Sequence, residues 1–390
     1  MCDVRPNAPA TGWSRRELLI AAGIGLAAGR VAAAPAARVA LARCPDYGAG
    51  VQPALRKMFD GLGGIGSLVA GKTVAIKINM ANPLRARTGY RPAWFTRWSH
   101  PGVIGAAVSL IGAAGARRIR IVEGSYEDDN PLEENFLQGG WDPRAILGAA
   151  KIVEMENTDS LGLGKKYELL KVAGGGLLFP SFDCNHSYVD CDVMVSIAKL
   201  KEHQSAGVAL SMNNMIGIAP ATVYGDAAGF EEPALQPFGR RGMFHTGRRQ
   251  PPTVVPGERN PESPRDAGYR IPRVTVDLVA ARPIDLAIID GIETQTSAEG
   301  VAPAPGAPRR IHMVKPGVLV AGFNPVCTDA VATALMGFDP GADRGTPPFE
   351  SCDSTLALAE LAGIGTRDLK KIEVVGVPIL SLQLPFRRYQ

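Results

Sequence analysis

The segment SIAKLKEHQSAGVALSMNNMIG, residues 196–217, sets Lys199, Lys201 and His203 directly after an apolar run, with Asn213 and Asn214 further on. Ammonium groups bind carboxylate or phosphate, and an imidazole moves protons near neutral pH. The same residue types recur elsewhere in the chain. Lys77 and Asn79 close the run TVAIKINM (73–80), Glu123 closes RIRIVEG (118–124) and Asp290 closes DLAIIDG (285–291), with Glu299 soon after. Asn324 and Asp329 follow VLVAGF (318–323).

The lysines and a helix start favour an anionic ligand. Asp290, Glu299 and Asp329 would repel that anion unless lysines pair with them or a cation bridges them. Two chemistries follow. A hard divalent metal can be held by His203, Asp290, Glu299 and Asp329. Alternatively, lysine–carboxylate pairs shift each other's pKa values and supply acid–base groups. In either case Lys199, Lys201, His203 and Asp290 are the catalytic candidates. Lys77, Asn79, Asn213 and Asn214 are the substrate-binding candidates.

Each residue also has a plainer reading. A lysine beside a strand can be a solvated edge charge, and Asn324 before Pro325 can be a helix cap. Asp329 can complement a helix dipole, and Asp290-Gly291 is a turn signal. His100 before Pro101 can cap a helix or contribute to the site. The chain contains no GxSxG elbow, HExxH pair or P-loop. The glycines at 61–66 precede a strand instead of following one, unlike a dinucleotide fingerprint.

Short Val/Ile-rich runs must position these side chains: 38–43, 73–80, 118–124, 192–198, 285–291, 318–323 and 371–377. Near-continuous apolar character marks strands buried on both faces of a parallel sheet. Segments with helical spacing alternate with them, at 51–69, 100–118 and 324–340. The expected fold is α/β, a mostly parallel central sheet flanked by helices. In such sheets ligands bind beyond the carboxyl ends of the strands. If the strands are parallel neighbours, all the polar residues above share one rim.

Residues 219–272 have no clear period and many Pro, Gly and Arg residues. A structureless stretch of this length is either a lid or a decorated surface loop. As a lid it would bring His245 and the Arg240-Arg241 pair to the site. Lesser loops fall at 81–99, which holds Trp94 and Trp98, and at 125–145. The expected organisation is one α/β domain over 38–377, or two lobes at 38–218 and 273–377, with a tail at 378–390.

The N-terminus reads as an export signal. Arg15-Arg16 precede an apolar run from Leu18 to Gly29, and an Ala-Pro-Ala follows at 34–36. This is a twin-arginine pattern with cleavage near Ala36, which makes the twin-arginine translocase a partner and the periplasm or exterior the destination. The run is too short for a bilayer, which needs about 20 residues, so no stable membrane anchor is expected. Removing residues 1–36 takes away four arginines and two acids, and the formal charge falls from +4 to +2. No basic stripe with interleaved aromatics occurs, so nucleic acid is excluded as a partner.

Five cysteines remain after the signal, at 44, 184, 191, 327 and 352, with neither an iron–sulfur run nor a paired CxxC pattern. Cys184 and Cys191 form either a disulfide loop or free buried thiols. The alternative of a metal on Cys184, His186 and Cys191 rests on one short cluster.

Together VAIKINM, SHPGVIGAAVSLIGAAGARRIRIVEG, DVMVSIAKLKEH, IDLAIIDGI, AEG and NPVCTDAVA resemble the family catalogued as domain of unknown function 362, over roughly residues 38–375. The resemblance implies Lys77, Asn79, His100, Lys199, Lys201, His203, Asp290, Glu299 and Asp329 as site positions, and it implies no reaction. Ile78 stands where family members often have Pro. Some members carry a ferredoxin-like module, which this chain lacks. The expected function is an exported enzyme that binds a small anionic substrate at the carboxyl rim, with a divalent metal as possible cofactor. The alternative is a non-catalytic periplasmic accessory protein that binds a ligand or cofactor.

Overall fold

A computed structural model describes residues 37–81, 87–125, 130–296 and 311–386. The export pattern at 1–36 and Glu299 therefore lie outside the described residues. The central sheet has eight strands: β1 (Ala37–Arg43), β2 (Thr73–Lys77), β3 (Arg118–Glu123), β4 (Val153–Asn157), β5 (Val193–Lys199), β6 (Leu286–Gly291), β7 (Val318–Gly322) and β8 (Ile372–Gly376). Their order across the sheet is β8-β1-β7-β6-β5-β2-β3-β4.

The expected α/β architecture is present, with one difference in strand direction. The pairs β8–β1, β6–β5, β5–β2, β2–β3 and β3–β4 are parallel, but β7 runs antiparallel to both β1 and β6. The carboxyl ends of β2, β3, β5 and β6 thus share one rim, and β7 delivers Asn324 to the opposite end.

Strand β4 lacks the continuous apolar run expected of a buried strand. It lies at the sheet edge, where Glu154 is partly exposed and takes Arg118 as an ion partner at 2.6 Å. An edge strand needs only alternate apolar residues, which hides it from a search for apolar runs.

Two cores sandwich the sheet. Helices α1 (Val51–Gly61) and α2 (Pro101–Ala113) cover one face. Val51, Leu55, Met58 and Phe59 recur at helical spacing, which gives α1 its buried stripe. His100 caps α2 by accepting from Gly102 N at 3.0 Å, with Pro101 in the first turn. A short helix, α3 (Leu132–Gln138), lies beside β4. Helices α4 (Ala267–Ala281), α5 (Pro325–Leu335) and α6 (Thr355–Leu361) cover the other face.

The irregular insertion is shorter than its composition implies. Residues 267–272, included in it on sequence grounds, already belong to α4. Pro272 disguises this helix, because it lacks the N–H that would bond the Gly268 carbonyl. That carbonyl accepts from Asp353 N at 2.9 Å instead.

Parts of the rest of the insertion are packed into the core, although Phe230 and Leu235 remain exposed. Tyr224 stacks on Phe244 with ring centroids 5.7 Å apart, and both rings are fully buried. Glu258 joins Arg270 of α4 at 2.5 Å, with both side chains inaccessible. At the C-terminus, Leu384 and Phe386 bond back to the carbonyls of Leu335 and Met336 at 2.9 Å. Cys184 and Cys191 are free thiols, as are Cys44, Cys327 and Cys352. No helix among the described residues is long and apolar enough to cross a membrane.

Candidate functional site

At the rim, β3, β2, β5 and β6 end side by side in Glu123, Lys77, Lys199 and Asp290. Two buried ion pairs form from these four. Lys77 Nζ lies 2.5 Å from Glu123 Oε1, and Glu123 Oε2 also accepts from Met80 N at 2.6 Å. Burial pushes the Lys77 ammonium down and the Glu123 carboxyl up from their ordinary values, and the partner's charge opposes each shift.

Lys199 Nζ lies 2.7 Å from Asp290 Oδ2 and also donates to Tyr47 Oη at 3.0 Å and the Trp94 carbonyl at 2.9 Å. Asp290 further accepts from Tyr47 Oη at 2.9 Å, His100 N at 3.1 Å and Ile292 N at 3.2 Å. Burial again lowers the lysine, and Asp290 opposes the shift. The His100 imidazole stacks on Tyr47 at 3.5 Å between centroids. Burial, and then the charge of Lys199, push the His100 pKa down to about 3, so the ring is neutral. This suits its use of Nδ1 as the cap acceptor.

Asparagines link the Lys77–Glu123 pair to Lys201. Asn214 Oδ1 accepts from Lys77 Nζ and from Asn79 Nδ2, each at 3.2 Å. Asn214 Nδ2 donates to the Lys77 carbonyl at 3.1 Å and to Ser196 Oγ at 3.0 Å. Asn79 Oδ1 accepts in turn from Lys201 Nζ at 3.3 Å, and Lys201 also reaches the Arg97 carbonyl at 3.4 Å. Asn213 turns away, and its amide contacts Thr275 Oγ1 on α4 at 3.4 Å. Of the two asparagines, only Asn214 reaches the rim.

His203 is half-buried, and its Nδ1 accepts from Ser205 N at 3.1 Å, which places the proton on Nε2. The His245 ring from the insertion lies 6.4 Å away, centroid to centroid. Burial, then His203, Arg241 and Arg270, push its pKa down to about 3. Its Nδ1 is buried without a hydrogen-bond partner. Arg240 also reaches inward and pairs with Asp159, whereas Arg241 is exposed. The backbone of Gly217 packs so closely on the Lys77–Glu123 pair that a side chain there would sit 2.8 Å from Lys77 Nζ and from Glu123 Oε1.

Among the described residues the expected metal ligands His203, Asp290 and Asp329 do not come together, and Glu299 lies outside them. His203 is bonded to Ser205, and Asp290 is saturated by Lys199, Tyr47 and backbone amides. Asp329 lies off the rim. Because β7 is antiparallel, α5 starts at the opposite end and carries Asp329 over the sheet face. There its oxygens accept from Ser211 N at 2.9 Å, Ser211 Oγ at 2.5 Å and Met212 N at 3.0 Å. Burial raises the Asp329 pKa to about 7 against these three donors. Asn324 is a helix cap that accepts from Cys327 N at 3.0 Å. Among the described residues no group of three or more His, Cys, Asp or Glu side chains can hold a metal ion. His186, in the short cysteine cluster, is engaged by Glu156 and Asp190, each at 3.0 Å.

Sequence reading missed three contributors. Tyr47 follows the carboxyl end of β1, and the strand-end rule applied to that first strand would have found it. Ser196 faces the Asn214 amide from within an apolar run and gives no signal. Arg97, in the 81–99 loop, is adjacent to Lys201 through its carbonyl, and its side-chain Nε is buried with no hydrogen-bond partner.

The architecture is therefore that of an α/β protein with a lysine- and asparagine-lined carboxyl rim. The chain belongs to the family described as domain of unknown function (DUF362), whose model matches residues 74–334. It is also similar to a thylakoid-associated protein of Synechocystis, with 26% identity over 313 residues, 77% of this chain and 75% of that protein.

Proposed function

We propose that this chain is an exported protein that binds a small carboxylate- or phosphate-bearing compound at the carboxyl rim, with Lys201 and Arg97 holding the anion. His203 is the acid–base group best placed to act on it. The observation that carries this reading is the buried Arg97 Nε, which has no partner beside the Lys201 contact. A buried unsatisfied donor costs roughly 1–3 kcal/mol, and an anion would satisfy it. The Arg15-Arg16 pattern supports passage through the twin-arginine translocase. The thylakoid association stated for the Synechocystis relative supports a location outside the cytoplasm.

A second reading, a non-catalytic accessory protein that holds the same class of ligand, is favoured by the burial of Lys77, Lys199, Glu123 and Asp290 in internal pairs. Thermal unfolding with inorganic phosphate, acetate and citrate tests binding. An anion at a hundredfold over its Kd should stabilise the protein by about 2.7 kcal/mol. If none of the three anions stabilises the protein, the binding claim is lost. Turnover of a bound compound that disappears in a folded His203→Ala variant selects the enzyme, and binding without turnover selects the accessory protein.

A further inference from the structure

At the end of the sheet opposite the rim lies a cleft of about 340 Å³. Its walls come from the 172–177 loop, α4, the chain that links β7 to α5, and the turn after α6. Leu177, Val276, Val279, Ile284, Phe323 and Ile364 form much of the lining. Hydrogen bonds hold these walls in place. Asp277 of α4 accepts from the amides of Leu177, Leu178 and Phe179 at 2.5–2.9 Å and so fixes the loop to the helix. Arg259 Nη1 donates to the Gly176 carbonyl of the same loop at 2.5 Å. Asn324 accepts from Cys327 N at 3.0 Å and donates to the Ile364 carbonyl at 2.7 Å, which ties the start of α5 to the turn after α6.

The same bonds decide what can enter. Asp277 and Asn324 are the polar side chains of the lining among the described residues, and both are engaged. Backbone groups on the wall are engaged too: Gly363 N and Ile364 N donate to the Glu360 and Ala359 carbonyls at 2.9 and 3.0 Å. A polar ligand would lose its bonds to water there and find no partner, whereas an apolar one releases water from both surfaces. Size sets the second limit. An apolar cavity of about 150 Å³ takes one benzene ring, so this cleft has room for roughly two. It is too small for a peptide segment and falls within the range of about 300–1,000 Å³ typical of small-molecule sites. We propose that the cleft binds an uncharged apolar molecule of about ten carbon atoms, a fused ring pair or a short alkyl chain. The site is separate from the rim and does not rest on the anion bound there.

The test titrates the full chain with 2-naphthol and with 1-octanol by calorimetry at neutral pH. Both probes are uncharged there, so neither takes an anion position at the rim. A Kd of about 0.1 mM or tighter is expected for at least one of them. Binding of 2-naphthol alone selects the ring pair, and binding of 1-octanol alone selects the chain. Ala280→Trp, at a partly exposed wall position of α4, fills the cleft and should weaken binding about tenfold or more, with circular dichroism unchanged. Phe323→Asp puts a charge in the wall and should weaken it as much. Phe323 is 37% exposed, so this second variant keeps its fold and decides the matter if the tryptophan variant unfolds. Binding of neither probe overturns the inference, and so does binding that the folded variants leave unchanged. A dimer in sedimentation that Ala280→Trp breaks would assign the cleft to a second copy and also overturn it.

Discussion

Lys199 and Asp290 occupy directly paired positions on neighbouring parallel strands, and their side chains meet at 2.7 Å with no solvent exposure. The backbone register itself brings the charges together. Tyr47, Trp94 and His100 then seal them from above. The pair frames the rim and offers no face to a ligand.

Breaking this pair should be far worse than replacing it. Asp290→Asn leaves a buried ammonium without its counter-charge and should cost roughly 3–5 kcal/mol in urea unfolding. The double variant Lys199→Met, Asp290→Leu should lose clearly less. A double variant as unstable as the single one would contradict this account.

Arg97→Ala and Lys201→Ala should each weaken phosphate or carboxylate binding about tenfold or more, because a hydrogen bond to a charged group is worth roughly 1.5–3 kcal/mol. Isothermal titration measures this. Arg97→Ala should leave the unliganded protein as stable as before or slightly more so, since the variant removes a buried donor without a partner.

His100 should make the protein acid-sensitive. Its folded pKa of about 3 lies below the unfolded value of 6.5, so the native state binds fewer protons in that window. The contribution is complete above pH 6.5 and declines by about 1.4 kcal/mol per unit well below it. His100→Asn keeps an N-cap acceptor and removes the titration. The stability gap between wild type and variant should narrow from pH 7.5 to pH 5 in thermal unfolding.

Asp329 should act with the opposite sign. Its folded pKa of about 7 exceeds the ordinary 3.8, so the native state holds the extra proton between these values. Stability contributed by this group is therefore full at low pH and is lost as pH rises from about 4 to about 7. Urea midpoints of Asp329→Asn should change less with pH across that window than those of wild type. Parallel profiles for the two proteins would show that Asp329 does not titrate there.

The amino-acid sequence determined much by itself. Continuous Val/Ile runs can be buried only on both faces, so they specified the strands of a doubly covered sheet. His100-Pro101 and Asn324-Pro325 fixed two helix starts, because caps act through residues only two or three positions away. Strand ends also marked Lys77, Lys199 and Asp290 as members of one rim.

Only the tertiary structure decided what those residues do. Strand direction depends on where a chain segment returns, and the local pattern of β7 is the same read either way. Its reversal carried Asn324 to the far end and placed Asp329 over the sheet face. Register between strands distant in sequence turned four separate charges into two closed pairs. The packing of residues 209–218 chose Asn214 over its neighbour Asn213, because adjacent side chains point in different directions and only one could face β2 and β5.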